Sequence, residues 1–177
     1  MIRLGLVLAL AALIGCATPA PPQEQVAPVP LPSTATATSP RTREVSRGQL
    51  LYVPVYSHVY LMDGRPYNLA ITLSIRNTSL DHKLVVQSVA YYDSAGKLIK
   101  DHADKELELG PLATAEYFVR EDDSSGGSGA NFLVKWVAEQ EISDPIVEAV
   151  MVGTSGGHGV SFVTNARVLK GLPVEGE

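Results

Sequence analysis

Leu69, Ile71, Leu73 and Ile75 alternate without a break with Ala70, Thr72, Ser74 and Arg76. An apolar side chain at every second position suits a strand with one face buried and the other wet; a helix would repeat its apolar stripe every three or four residues. Leu50 to Leu61, Leu84 to Asp93, Thr114 to Glu121, Asn131 to Glu139, Ile146 to Gly153 and Gly159 to Leu169 read similarly, so the pattern predicts seven main strands. Asp93-Ser94-Ala95-Gly96 reads as a turn into a short strand at Lys97 to Lys100, and Gly110-Pro111 breaks the chain before Thr114. No segment carries a convincing helical period. Strands at this spacing without helices between them predict an all-β fold, an antiparallel immunoglobulin-like sandwich, with a jelly roll or small barrel as alternatives. Trp136 is expected in its core, without the paired cysteines of an antibody-type domain.

The first residues follow a different rule. Met1 to Arg3 is a short basic start, Leu4 to Ile14 is an apolar run interrupted only by Gly5, and Leu13-Ile14-Gly15-Cys16 closes it. The run is about half of the roughly 20 residues that a membrane-spanning helix needs, which makes it a targeting segment. Leu13-Ile14-Gly15-Cys16 resembles the lipobox of bacterial lipoproteins, in which a cysteine is lipidated on sulfur and becomes the new N-terminus; a plain secretory signal with an incidental cysteine is the alternative. The resemblance implies lipidation at Cys16, the only cysteine of the chain. Ala17, by resemblance to Gram-negative lipoproteins, implies the outer membrane. Stable anchoring takes more than one acyl chain, which that modification supplies.

Seven of the twelve prolines fall between Pro19 and Pro40, among Ala, Thr, Ser and Gln. Such a segment favours extended polyproline conformations at about 3.1 Å per residue, so it is expected to be a disordered tether reaching at most roughly 90 Å. The expected organisation is a signal peptide over 1–15, a tether over 16–48, a β-sandwich over 49–170 and a flexible tail over 171–177. Arg41, Arg43 and Arg47 are read as a solvated linker end. Loss of Arg3 with the leader leaves 13 basic against 19 acidic side chains, a formal charge of −6. That balance argues against nucleic acid, which needs a basic face, and against electrostatic docking on anionic lipid. Attachment to the membrane must then come from something covalent or apolar.

Tyr52-Val53-Pro54-Val55-Tyr56-Ser57-His58, Leu73-Ser74-Ile75-Arg76-Asn77-Thr78, Gly110-Pro111-Leu112-Ala113-Thr114 and Ser125-Gly126-Gly127-Ser128-Gly129-Ala130-Asn131-Phe132 occur in this order. Together they resemble the uncharacterised bacterial lipoprotein family called domain-of-unknown-function family 3124, over about Leu50 to Leu169. The resemblance implies location and fold, and brings no activity, substrate or catalytic residue.

Gly153-Thr154-Ser155-Gly156-Gly157 formally matches the G-x-S-x-G elbow of serine hydrolases, with His158 next to it. The elbow stands on a strand-to-helix turn with its acid and histidine later in the chain, whereas Val160 to Leu169 alternates like a strand. A glycine-rich hairpin with positive φ is the better reading. Asp122 and Asp123, between Glu121 and a Ser/Gly run, are candidate calcium ligands, but their spacing misses the EF-hand pattern and a mobile acidic hairpin loop is expected. His58, His82, His102 and His158 show no metal-ligand spacing, so neither metal nor cofactor is expected. Asn77-Thr78-Ser79 matches a glycosylation sequon and reads as an ordinary turn.

The first long strand offers the candidate partner-binding residues. Leu51, Val53, Val55, Val59 and Leu61 should face inward, leaving Tyr52, Tyr56, His58 and Tyr60 outward over about 27 Å at roughly 3.3 Å per residue. Tyrosines in such a stripe suit glycan or side-chain contact, although cover by a loop, by the tether or by the sandwich itself is the alternative. Pro54 within the strand suggests a sheet edge. The expected role is a non-enzymatic, lipid-anchored envelope module that binds an envelope protein or cell-wall glycan. A hydrolase using the Gly153–Gly157 loop and a purely structural lipoprotein are the alternatives.

Overall fold

The structure, a computed structural model, describes residues 36–38, 45–61, 63–102, 105–155 and 157–172. The expected signal peptide, Cys16, Arg41 and Arg43 lie outside the described residues. All described secondary structure is strand, and every pairing is antiparallel.

The larger sheet runs in the order β1 (Thr36–Thr38), β8 (Glu106–Leu109), β6 (Leu84–Tyr92), β10 (Asn131–Ala138), β2 (Arg47–Pro54) and β13 (Arg167–Gly171), with β7 (Leu98–Asp101) also pairing β6. The smaller sheet is β12 (His158–Asn165), β11 (Ile146–Ser155), β5 (Ala70–Arg76) and β9 (Thr114–Val119). A separate hairpin joins β3 (His58–Leu61) and β4 (Arg65–Asn68). In one sheet β5 pairs β9 and in the other β6 pairs β10, and the chain crosses between sheets from β5 to β6 and from β9 to β10. This interlock matches the B–E and C–F strand pairs of the immunoglobulin sandwich. The flanks differ: β2 lies beside β10, where the last strand of that fold would stand, and β11 beside β5, where the first would.

Period-two alternation decides the core. Leu69, Ile71, Leu73 and Ile75 are fully buried, and Met151, Ala149 and Val147 pair with the last three on the same inner face. Leu51, Val53, Val86, Val89, Tyr91, Phe132, Val134 and Trp136 face them from the larger sheet in one continuous cluster. Each fully buried aliphatic or aromatic side chain of this size contributes about 1.5–3 kcal/mol. Trp136 is completely buried, as expected.

Several boundaries differ from the expectation. Leu50 to Leu61 is not one strand: β2 ends at Pro54 and β3 begins at His58. Val55 N still donates to Ala130 O, but Ser57 N donates to Gly127 O and Leu69 N to Ser57 O, so the backbone changes partners while its alternation persists. Val55 and Ser57 stay buried, whereas Leu61 is exposed. β2 as a whole is an inner strand, but Pro54 stands at its end, where only the β10 side is still paired. Val55 N–H points at β10, so the position 54 nitrogen faces the other way, beyond the reach of β13, whose register stops at Tyr52. The segment Gly159 to Leu169 also divides, at Ala166: Asn165 pairs Glu148 in one sheet and Arg167 pairs Tyr52 in the other. β4 and β8 were not anticipated, and β1 places a paired strand inside the expected tether.

Candidate functional site

Strand direction gathers residues that are far apart in the chain. The ends of β2, β6, β9 and β11 and the starts of β5, β10 and β12 all lie at one pole of the sandwich, where the β3–β4 hairpin also emerges. Tyr56, His58, Tyr60, Asp122, Asp123 and the Ser155–His158 rung therefore share this pole. Tyr52 does not: it stands between Leu133 and Arg167 in the larger sheet.

The loop from Glu121 to Ala130 is the centre of the pole, and it is fastened along its length. Ser57 donates to Gly127 O through both N (3.1 Å) and Oγ (3.2 Å). Ser94 does the same to Gly126 O through N (2.9 Å) and Oγ (3.1 Å), and Ser94 Oγ accepts Gly129 N at 2.9 Å. These bonds tie it to the β2–β3 link and the β6–β7 turn, which replaces the expected free acidic loop with an anchored one. Close approach explains the glycine at 126, since a Cβ there would lie 1.9 Å from Tyr91 Oη. Arg120 Nε and Nη2 each donate at 2.8 Å to the two carboxylate oxygens of Asp122, which raises the guanidinium pKa and lowers that of the carboxyl. Asp123 accepts Ser125 N and Oγ, so it closes a local turn. No group of three or more potential metal-ligating side chains occurs among the described residues.

Beneath the loop lies an aromatic stack with polar atoms in it. Tyr91 stacks on Phe132 at 4.8 Å, and His102 sits 5.8 Å from Phe132 and 5.5 Å from Tyr117. Tyr91 Oη and His102 Nε2 are buried with no hydrogen-bond partner among the described residues. Burial, then the negative charge of Asp123, pushes the Tyr91 hydroxyl up to about 12. Burial, assisted by Lys100 and opposed by Asp101, lowers the pKa of His102.

The tyrosine stripe is broken up by the bend after Pro54. Tyr56 packs edge-on against Phe162 at 5.6 Å and belongs to the margin of the core. His58 lies 3.2 Å from Ser57 Oγ through Nδ1 and 3.2 Å from Tyr60 Oη through Nε2. This Ser–His contact is no nucleophile, because Ser57 is completely buried and its hydroxyl is spent on loop carbonyls. Tyr60 is 60% exposed on the hairpin, beside the exposed Leu61.

Ser155 pairs with His158 across a turn joining two strands, where Gly157 has φ 82°. No helix follows, so the elbow geometry is absent there. Gly153 has a packing reason instead: a Cβ would fall 2.4 Å from Asn68 O of the neighbouring hairpin.

Sequence reasoning missed Phe118. It is 60% exposed and stands on the wall of an open depression of about 580 Å3, lined by Asn68, Ala70, Phe118, Arg120, Glu121 and Asp122. The signal was present, since Ala115, Tyr117 and Val119 alternate inward and leave Phe118 outward. The sequon asparagine, Asn77, is 98% shielded at the other pole and offers no site for a glycan; its amide is committed to backbone partners.

A family model described as "Protein of unknown function (DUF3124)" matches residues 48–169. No curated protein matches the chain. A structure described as "Crystal Structure of Thermotoga maritima 1070" is similar at 12% identity over 67% of this chain and 92% of that one, with a TM-score of 0.38, too low to carry an argument.

Proposed function

The chain belongs to the DUF3124 family of proteins of unknown function, and from that premise we propose that it is a lipid-anchored cell-envelope protein whose domain is a non-enzymatic binding module. Its working surface is the loop pole, and the occupant is an envelope protein or cell-wall glycan. One observation carries the reading: three separate segments are hydrogen-bonded together at the pole where Tyr60 and Phe118 are exposed. The Phe118 ring beside Asn68 and the Arg120–Asp122 pair combines an apolar platform with directional polar groups, the composition of binding hot spots. Orientation supports it too. β1, the first described strand, pairs β8 alongside the start of β6, at the pole opposite the loops, so a tether from Cys16 would present the loops away from the membrane.

A photo-crosslinking residue at position 60 or 118, with one at Lys135 as control, tests this in living cells. The same adduct at both pole positions and none at the control is expected; no adduct at either pole position overturns the reading. The anchor is tested separately by mass spectrometry of the mature protein, which should begin at an acylated Cys16, and by Cys16→Ser, which should leave an unprocessed precursor. From Ala17, the expected site is the outer membrane facing the periplasm of a Gram-negative cell.

A further inference from the structure

The pole opposite the loops carries a feature that neither the core nor the binding surface uses. Leu80 is 73% exposed and Leu112 is 65% exposed, on two neighbouring turns joined by Leu112 N donating to Ser79 O at 3.2 Å. Leu112 has φ 57°, the left-handed region in which a non-glycine side chain costs about 1 kcal/mol or more. A bulky apolar residue is thus held outward, in water, at a backbone position better suited to Gly or Asn.

The frame behind the two leucines is stiff. Buried Asn77 donates through Nδ2 to His82 O (2.8 Å), Leu109 O (3.1 Å) and Gly110 O (2.9 Å) and accepts Ser79 N at 2.9 Å. Ser79 Oγ accepts Asp81 N and His82 N. Thr78 Oγ1 donates to Asp144 O, and Asp144 Oδ1 accepts Arg47 Nε and Nη2, so the turn bearing Leu80 is tied to the residue at which β2 begins.

We propose that this pole rests on a phospholipid surface, with Leu80 and Leu112 as two apolar prongs inserted at the headgroup boundary. The inference rests on the reading that Cys16 is lipidated, and it follows from where the described chain enters the domain: Thr36 of β1 pairs with Glu108, next to the Leu109 and Gly110 carbonyls that Asn77 holds, and β2 begins at Arg47 on the same side. Among the described residues, Arg47 pairs with Asp144 and Glu141, Arg76 with Glu148 and Lys83 with Glu108, so these cations are engaged within the domain and the exposed leucines are what this side offers a lipid surface. The acyl chains hold the protein at the membrane, and two inserted leucines would fix how the domain sits on it.

The test uses the full lipidated chain in vesicles of phosphatidylethanolamine and phosphatidylglycerol. Because the thiol of Cys16 is blocked by lipid, Leu80→Cys, Leu112→Cys and Tyr60→Cys each carry a single label site for an environment-sensitive fluorophore. Expected are a blue shift and several-fold stronger quenching by acyl-chain-brominated lipid at positions 80 and 112 than at 60. If the vesicles float with the protein but all three labels report water, the prongs are not inserted and the proposal falls while the anchor stands. A blue shift without bromine quenching assigns the leucines to a protein surface, a second copy included, and equally overturns the lipid seat. A chain that does not float with the vesicles overturns the anchor and the seat together.

Discussion

The two poles of the sandwich are held in opposite ways. At the loop pole, backbone carbonyls of a glycine run accept hydrogen bonds from Ser57 and Ser94, and the loop lies so close to Tyr91 that only glycine fits at 126. At the other pole one amide side chain, Asn77, holds three carbonyls of two different loops. The first arrangement depends on the absence of side chains and the second on the chemistry of one. A loop built by close approach should therefore fail when volume is added, and a turn built on a buried amide should fail when donors are removed.

The largest expected effect is that of Gly126→Ala. The added methyl would overlap the Tyr91 hydroxyl, and the ring cannot withdraw because it is stacked on Phe132. A loss of about 3 kcal/mol or more is expected in urea unfolding, together with release of the 121–130 loop in hydrogen exchange. Tyr91→Phe in the same chain should return only part of it, because a Cβ at 126 would still lie 2.7 Å from Tyr91 Cζ and 2.8 Å from Ala130 Cβ; full rescue would mean that the hydroxyl alone sets the limit.

Asn77→Ala comes next. It leaves buried carbonyls without a donor, at a cost of about 2–3 kcal/mol. Asn77→Asp should cost at least as much, because a carboxylate cannot donate to those oxygens. Equal stability of Asn77→Asp and wild type would break the contrast between the poles.

Acidity probes the loop pole alone. Tyr91 has a folded pKa of about 12 against an ordinary value of 10, so its neutral form is favoured by folding. The stability it contributes is whole below pH 10 and is lost as pH rises toward 12, by about 2–3 kcal/mol. His102 is shifted down, so between its folded value and 6.5 the unfolded chain binds more protons. Stability should be full above pH 6.5 and fall as pH decreases below it. Thermal melts at graded pH check both limbs. Tyr91→Phe should abolish the alkaline one and His102→Phe the acid one.

The smallest effect has the opposite sign. Leu112→Gly relieves the left-handed strain at φ 57° and should raise stability by up to about 1 kcal/mol, less whatever the added freedom of the unfolded chain takes back. A loss of stability would show that Leu112 packs usefully in the isolated domain.

Much of the architecture was legible because alternation is a local property. Each residue's side of its strand follows from the pleat, so Leu51, Val53, Val55, Leu69, Ile71, Leu73, Ile75 and Trp136 are assigned to the core whatever they pair with, and all are buried. By the same rule Phe118 points outward, although no motif singled it out. Alternation does not reveal where one ladder ends and another begins. Val55 and Ser57 keep their inward phase through the bend, so the passage from β2 to β3 left no mark in the pattern, and the tyrosine stripe drawn across it divided into Tyr56 against Phe162 and Tyr60 in solvent.

By itself, then, the amino-acid order determined the all-strand class, the inward face of each main strand, and the hairpin reading of Gly153–Gly157, because pleat and turn chemistry act between near neighbours in the chain. Only the tertiary structure decided that Ser57 meets Gly127, that Ser94 meets Gly126, and that Asn77 reaches Leu109 and Gly110. Those partners lie 70, 32, 32 and 33 residues apart. A hydrogen bond over such a separation exists only after both sheets have closed on one core, and no local pattern encodes which carbonyl will then lie within reach.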